Sequence, residues 1–335
     1  VQHARAHGQI TEILDEAVLD DHALFPSALP AKRETSYNAW VTIQIGCDNN
    51  CAFCIVPAVR GPEVSRPFDQ LVGEVAHLAR EGISEVTLLG QNVNAYRGEM
   101  DDGGEADLAL LIEAVAALPG VGRIRFTTSH PLEFSDALIE AHRDVDKLAS
   151  YLHLPVQSGS DPILKAMNRS HTAAEYIEII KRLRTNRPDM AISGDFIVGF
   201  PGESDQDFAD TLKIITEVNY AQAYSFKYSP RPGTPAANVE FHVPEDVKSK
   251  RLAAVQQLLN EQQFAFNLSC VGKTMSILLE REGKEDGQLI GRSPYMQSVH
   301  VIAPQHRLGQ MVDVEIVSAG ANSLKGQILM AQQAA

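Results

Sequence analysis

The chain has 335 residues, of which 44% are hydrophobic and 21% charged, and a formal net charge of −14. This composition is that of an ordinary globular protein, and the length suffices for one large α/β domain with a smaller one appended. The negative charge excludes binding of nucleic acid through the whole surface, although residues 271–335 are neutral because they carry six basic and six acidic residues. No apolar run approaches the ~20 residues of a membrane-spanning helix, and no signal peptide opens the chain. We therefore expect a cytoplasmic protein that contacts no membrane.

The first segment, residues 1–32, has a sequence pattern of its own. It carries three histidines and ends with Pro26 and Pro30, and its pattern predicts a helix over residues 10–19. We expect it to be a linker, or the stub of a further domain that precedes it. We expect residues 33–269 to form the core domain and residues 270–335 to form a second domain.

Three cysteines follow the first predicted strand of the core, with the spacing Cys47-x-x-x-Cys51-x-x-Cys54. Thiolates are the usual ligands of iron–sulfur clusters and four are needed to close one, so three leave one iron open to a small molecule. Apolar Phe53 would help to exclude solvent from the metal. A structural zinc site needs four ligands, and the remaining cysteine, Cys270, lies far along the chain. The spacing favours one 4Fe-4S cluster over zinc or inert buried thiols.

Strand-like and helix-like patterns alternate from residue 40 onward. Between the strands, apolar residues recur at helical spacing, as in Leu71, Val75 and Leu78 after Phe68. Six strand–helix units in series predict a parallel sheet with right-handed crossovers. Six units are too few for a closed eight-stranded barrel, so we predict an α/β fold, a partial (β/α)6 barrel. The predicted strands cover residues 41–46, 85–90, 123–129, 151–156, 191–199 and 221–229.

Polar and glycine residues follow three of these strands. Because ligands of such sheets gather at the carboxyl ends of the strands, we predict that these residues bind the cofactor. Turn formation, helix capping and a helix's first turn are the plainer alternatives for them, and we assign no catalytic acid, base or nucleophile. The predicted cofactor-binding residues are Gln91, Asn92, Gln157, Ser158, Asp195, Gly199 and Glu203.

After a last helix over residues 245–267, the chain reads as short strands broken by glycine. This texture predicts a small, five-stranded antiparallel β-barrel of the OB-like kind. Such barrels bind oligonucleotides in many proteins and serve only as packing modules in others. The predicted strands cover residues 274–280, 288–292, 298–302, 311–317 and 324–329.

The cysteine motif resembles the CxxxCxΦC signature of radical S-adenosylmethionine enzymes. From about residue 37 to the end, the chain is similar to the methylthiotransferases, and among them to the MiaB-type tRNA methylthiotransferases. The run GQNVNAY from residue 90 favours this type over the sister enzymes that modify a ribosomal protein, and the tail resembles a TRAM domain, an RNA-binding barrel. The matching stretches are residues 46–66, 88–98, 126–134, 153–161, 195–203 and 228–236.

The resemblance implies a reaction that adds a methylthio group to carbon 2 of an isopentenylated adenosine beside the tRNA anticodon. It implies a 4Fe-4S cluster on Cys47, Cys51 and Cys54, S-adenosylmethionine as second cofactor, and radical chemistry begun by one electron from the cluster. The partners it implies are tRNA and an electron donor such as flavodoxin or ferredoxin, and we expect a monomer. Members of the family carry a second, auxiliary cluster on three further cysteines of an upstream domain. Only Cys270 remains here, so we expect this chain to cleave S-adenosylmethionine without completing sulfur insertion.

Two other functions stay open at this point. The first is the sister activity, methylthiolation of a ribosomal-protein aspartate on the same fold. The second is a non-catalytic RNA-binding protein with a zinc loop and an OB-like barrel. An anaerobically purified iron–sulfur protein is brown, whereas a zinc protein is colourless, so colour separates the two classes.

Overall fold

The computed structural model describes residues 37–329 of the chain. The predicted segment 1–32 and its helix over residues 10–19 lie outside the described residues. The strands are β1 (Asn38–Thr42), β2 (Gln44–Ile45), β3 (Val64–Ser65), β4 (Glu85–Leu89), β5 (Arg97–Glu99), β6 (Glu105–Asp107), β7 (Arg123–Phe126), β8 (Tyr151–His153), β9 (Ala191–Val198), β10 (Gln222–Lys227), β11 (Thr274–Glu282), β12 (Gln288–Arg292), β13 (Ser298–Ile302), β14 (Met311–Ala319) and β15 (Ser323–Ile328). The helices are α1 (Val56–Arg60), α2 (Phe68–Arg80), α3 (Leu108–Ala117), α4 (Asp136–Asp144), α5 (Asp161–Ala166), α6 (Ala173–Asn186), α7 (Asp205–Val218) and α8 (Glu245–Ser269).

Six parallel strands form the main sheet of the first domain. They pair in the orders β1-β4-β7 and β8-β9-β10. Ile124 of β7 joins the halves, because it forms a parallel bridge with Leu148 in the segment that leads into β8. Each of β1 and β10 pairs with one strand of this sheet, so the sheet is open at both edges. The predicted partial (β/α)6 barrel is confirmed.

Helices cover the outer face of the sheet and form the main core with it. Alternate strand residues such as Val41, Val86, Ile124 and Phe196 are buried against the helices, since side chains alternate across a strand. The capping boxes at α6 and α7 show why these helices begin where they do: Thr172 and Ser204 each accept a hydrogen bond from the backbone three residues on.

The second domain is a closed barrel with the strand order β11-β12-β13-β15-β14. The closed five-stranded barrel is confirmed, but the prediction that it is antiparallel throughout is wrong in one pairing. Strands β13 and β15 run parallel, because the chain crosses the barrel between them through β14. This pairing joins residues distant in sequence, and the local strand patterns carry no information about it.

The barrel covers the amino end of the parallel sheet. There Arg123 and Arg125 share the carboxylate of Glu85, with both N–O distances at 3.0 Å. Arg123 also donates to the carbonyls of Ser276 and Arg292, and Arg125 to those of Ser293 and Pro294 in the barrel. Burial lowers the pKa of Arg123 to about 10, assisted by the neighbouring Arg125 charge and opposed by Glu85. The carboxyl ends of the strands, at the other end of the sheet, are left for the site.

Candidate active site at the cysteine loop

The cysteine loop follows β2 and is held by backbone contacts. Gly46 has a φ of +74°, and a Cβ there would lie 1.9 Å from the Pro62 carbonyl oxygen, so only glycine fits. Further along, the Ala52 N–H donates to the Met167 carbonyl at 2.8 Å, and the Ala52 carbonyl accepts from Ala236 at 2.9 Å. A small apolar cluster that includes Phe200 lies against this turn. The loop is therefore anchored to three separate parts of the domain.

The three thiols of the loop line one cavity of about 370 Å³. Cys51 is buried, and Cys47 and Cys54 are half-buried. Burial raises the pKa of both Cys47 and Cys54, and the nearby Cys51 raises them further. Phe53 and Val56 add apolar surface to the lining, which limits the access of water to any metal held there.

The donor set fits a cluster better than a single ion. Within residues 37–329, no group of three or more His, Cys, Asp or Glu side chains is arranged to hold one metal ion. A four-iron cluster requires a different arrangement of ligands. Each thiolate binds a different iron, so the sulfurs lie further apart than they do around one ion. Three thiols that line one cavity of this size fit that requirement.

Arg169 is a site residue that the sequence analysis missed. Its Nη1 lies 3.6 Å from the sulfur of Cys51, and its Nη2 donates to the Pro155 carbonyl at 2.7 Å, while its buried Nε has no hydrogen-bond partner. Burial lowers the pKa of Arg169, and the three cysteines oppose that shift. A guanidinium in this position offsets the negative charge that the thiolates bring into the cavity.

Three other side chains line the same cavity with buried oxygens that make no hydrogen bond: Gln91 Oε1, Asn92 Oδ1 and Ser129 Oγ. Buried polar atoms in proteins are nearly always paired, and exceptions call for an explanation. Oxygens placed in this way can accept hydrogen bonds from a polar ligand, such as an ammonium or a hydroxyl group. Gln91 and Asn92 were predicted for this role, whereas Ser129 was not.

His130 lines the cavity beside these oxygens. Its pKa is lowered to about 3, first by burial and then by the Arg169 charge. Its backbone is held on both sides by Asn94, which accepts from the His130 N–H and donates to the His130 carbonyl, each at 2.8 Å. His130 is thus a neutral ring at neutral pH, in a fixed position after β7.

Gln157 and Asp195, both predicted, also line the cavity. Gln157 has a φ of +76°, and strained non-glycine backbone of this kind clusters at functional sites. Its N–H donates to the Asp195 carbonyl at 2.9 Å. The Asp195 carboxylate lies 3.6 Å from Nε2 of His153.

The other three predicted cofactor-binding residues do not line this cavity. The Ser158 hydroxyl is fully buried and hydrogen-bonds Thr211 at 3.2 Å. Gly199 donates its N–H to Glu203 at 2.6 Å, and Glu203 forms an ion pair with Arg251 of α8, also at 2.6 Å. These contacts join the strand ends to the surrounding helices, while Oε1 of Glu203 is buried without a hydrogen-bond partner.

Comparison with known families and structures agrees with this arrangement. The profile of the Radical SAM superfamily matches residues 41–215, slightly more than half of the chain. The chain belongs to the radical SAM superfamily. Membership implies a 4Fe-4S cluster and S-adenosylmethionine as cofactors, and a TRAM domain profile matches residues 268–329. No helix among residues 37–329 is both long and apolar enough to cross a membrane.

One solved structure has the same fold at low sequence identity, and two further structures match with lower scores. Coproporphyrinogen III oxidase HemN from Escherichia coli, a radical SAM enzyme, superposes with a TM-score of 0.51 at 15% identity, over 92% of this chain and 79% of that one. The methyltransferase TsrM from Kitasatospora setae, with tryptophan and a SAM analogue bound, superposes with a TM-score of 0.49 at 14% identity over 61% of this chain. Streptococcus suis SuiB, bound to S-adenosylmethionine, gives 0.47 at 13% identity over 78% of this chain. The chain spans 38% of the length of TsrM and 53% of that of SuiB.

Proposed function

We propose that this chain is the catalytic and RNA-binding part of a tRNA methylthiotransferase that modifies carbon 2 of an isopentenylated adenosine beside the anticodon. The observation that carries the radical SAM part is one cavity lined by three cysteines, a cation and three unpaired buried oxygens. The TRAM match supports an RNA substrate, and the family motifs support the methylthiolation. tRNA as partner, an electron donor such as flavodoxin or ferredoxin, and the monomeric state remain predictions.

Each residue of the cavity has a role in this proposal. Cys47, Cys51 and Cys54 would hold three irons of a cluster that, when bound, supplies the electron that cleaves S-adenosylmethionine. Arg169 offsets the charge of the thiolates, and Phe53 limits water at that wall.

Other residues that line the cavity would orient S-adenosylmethionine. The oxygens of Gln91, Asn92 and Ser129 would accept hydrogen bonds from its ammonium or hydroxyl groups, because these oxygens are buried without a partner. His130, kept neutral by burial and by Arg169, adds no positive charge that would repel the sulfonium.

The experiment that tests the function uses cells in which the full-length gene that includes this sequence is deleted. Nucleosides from the tRNA of these cells are identified by liquid chromatography and mass spectrometry. Two complemented strains are compared with the deletion strain, one carrying the wild-type gene and one carrying the gene with Cys51→Ala. We expect methylthiolated isopentenyladenosine to disappear, the unmethylthiolated nucleoside to accumulate, and only the wild-type gene to restore the modification. Unchanged tRNA nucleosides, with loss of methylthio-aspartate from a ribosomal protein, would contradict the proposal in favour of the sister activity.

A further inference from the structure

Two aromatic side chains on the inner face of edge strand β10 are exposed. The inner face is the one turned away from the covering helices, and Asp195 of β9 lies on it, between the buried Gly194 and the core residue Phe196. On the neighbouring edge strand β10, Tyr224 pairs in register with Asp195. Tyr224 is 47% exposed and Phe226, two residues further on, is 53% exposed. We call Tyr224 and Phe226 the aromatic strip.

Neighbouring groups hold the Tyr224 ring in place. The Tyr224 hydroxyl accepts a hydrogen bond from Gln222 Nε2 at 3.2 Å. The ring of His153 meets the Tyr224 ring nearly edge-on, with centroids 6.3 Å apart. His153 is itself held by Ser193 Oγ at 3.0 Å and by the Asp195 carboxylate. An exposed aromatic ring with fixed orientation is a surface on which a flat group can stack at little entropic cost.

The strip lies between the cysteine cavity and the barrel. At one end Asp195, the register partner of Tyr224, lines the cysteine cavity. At the other end Gln222 lines a smaller pocket of about 80 Å³ together with Arg292 and Met296 of the barrel. A ligand bound to both the barrel and the cavity would therefore cross the strip.

We propose that the aromatic strip stacks unpaired bases of the RNA substrate between the barrel and the cysteine cavity. This inference rests on the proposed function, which supplies the RNA. The strip itself is uncharged, and the titratable side chains near Tyr224 include Tyr151, His153 and Asp195, so the strip suits the flat face of a base better than a phosphate. Stacking of bases on aromatic side chains is a general means of holding single strands.

The test measures RNA binding by the full chain, reconstituted with its cluster, by fluorescence anisotropy. The probes are an anticodon stem-loop RNA carrying isopentenylated adenosine, a short single-stranded oligoadenylate, and a fully paired RNA duplex. The variants are Tyr224→Ala, Phe226→Ala and the conservative Tyr224→Phe, with Phe264→Ala as control because Phe264 is an exposed aromatic on α8. Release of 5′-deoxyadenosine without RNA is measured for each variant, to show that the cofactor site is intact.

We expect Tyr224→Ala and Phe226→Ala each to weaken binding of the stem-loop and the oligoadenylate about tenfold. Duplex binding and cofactor cleavage should stay as in the wild type, and Tyr224→Phe and Phe264→Ala should bind normally. If the wild type binds RNA and both alanine variants bind it with unchanged affinity, the proposed stacking of bases on the strip is wrong. The proposed function of the chain would be unaffected by that result. Unchanged RNA affinity combined with lost modification of a ribosomal protein would assign the strip to a protein substrate and also overturn the inference. A wild type that binds none of the three RNAs would instead contradict the RNA substrate, and the strip's role would fail with it.

Discussion

The two ends of the parallel sheet use the same kinds of side chain in opposite ways. At the amino end, Arg123 and Arg125 are buried, and their guanidinium groups are bonded to Glu85 and to barrel carbonyls. At the carboxyl end, Arg169 is half-buried, yet its buried Nε has no partner and Nη1 faces a thiol. A satisfied polar network stabilises a junction, whereas unpaired polar atoms that line an open cavity are available to a ligand. The hydrogen bonding of these arginines, more than their residue type, distinguishes the structural junction at the amino end from the candidate site at the carboxyl end.

The largest expected effect is at the carboxyl end. Cys51→Ala should abolish cluster binding and release of 5′-deoxyadenosine, because two thiolates cannot hold the cluster, while the far-ultraviolet circular dichroism stays that of the wild type. Iron content and visible absorption after anaerobic reconstitution measure this. Cys270→Ala is the matched control, since Cys270 is buried in the barrel core, and it should keep its iron. Full iron content in Cys51→Ala would show that the loop is not the site.

The amino end should respond through stability. Glu85→Gln removes the charge that two buried arginines share, so we expect the free energy of unfolding to fall by about 3–5 kcal/mol. Urea unfolding compares this variant with Glu140→Gln, a change at an exposed position on α4 that should cost under about 0.5 kcal/mol. The folded Glu85→Gln protein should still bind iron normally. If the Glu85→Gln protein lost its cluster without losing stability, the amino end would affect the site at the carboxyl end, and the division of roles between the two ends would be wrong.

Arg169→Gln should affect chemistry more than stability. Loss of the cation beside the thiolates should make the reduced cluster harder to form, so its midpoint potential should fall and cofactor cleavage should slow by about 10- to 100-fold. Arg143→Gln, at an exposed ion pair with Asp144, serves as control. A potential equal to that of the wild type would mean that Arg169 only supports the loop.

His142 sharpens the comparison, because it is buried and unpartnered but away from the cavity. Both of its ring nitrogens lack a hydrogen-bond partner, and it packs between Phe126 and Phe134. Burial lowers its pKa from 6.5 to about 3, so the folded protein keeps it neutral while the unfolded chain takes up a proton below pH 6.5. Its contribution to stability is therefore present above pH 6.5 and is lost as the pH falls toward 3.

The matching test is the pH dependence of unfolding in His142→Leu. Between pH 6 and pH 5 the wild type should lose about 1 kcal/mol per pH unit more than this variant. Urea unfolding at several pH values measures the difference in slope. Equal slopes would mean that His142 is protonated in the folded state, and that its lack of partners has another cause.

The elements that depend on local sequence were predictable, and those that depend on distant contacts were not. The strands β12 and β13 have the predicted bounds, and α8 begins at the predicted residue, because glycine turns and periodicity are local signals. Gln91 and Asn92 line the cavity because they follow a strand that ends there.

Arg169 escaped notice because it follows α5 instead of a strand, and it reaches the thiols only through the fold. Ser158 and Glu203 were predicted on the same strand-end argument as Gln91, but of these three only Gln91 lines the cavity. The polar atoms of Ser158 and Glu203 bond Thr211 and Arg251, from helices that no local pattern could bring there. Ser129 lay within a family-matching stretch, and its position at the end of β7 was the signal that could have identified it.

The central claim is that the cysteine loop holds one cluster with an iron open to S-adenosylmethionine. Its most direct test is electron paramagnetic resonance of the anaerobically reconstituted and reduced chain, with and without S-adenosylmethionine, alongside iron and sulfide analysis. We predict about four irons per chain and a single reduced-cluster signal that changes when S-adenosylmethionine is added. About eight irons in two clusters, or one signal that S-adenosylmethionine leaves unchanged, would contradict the account.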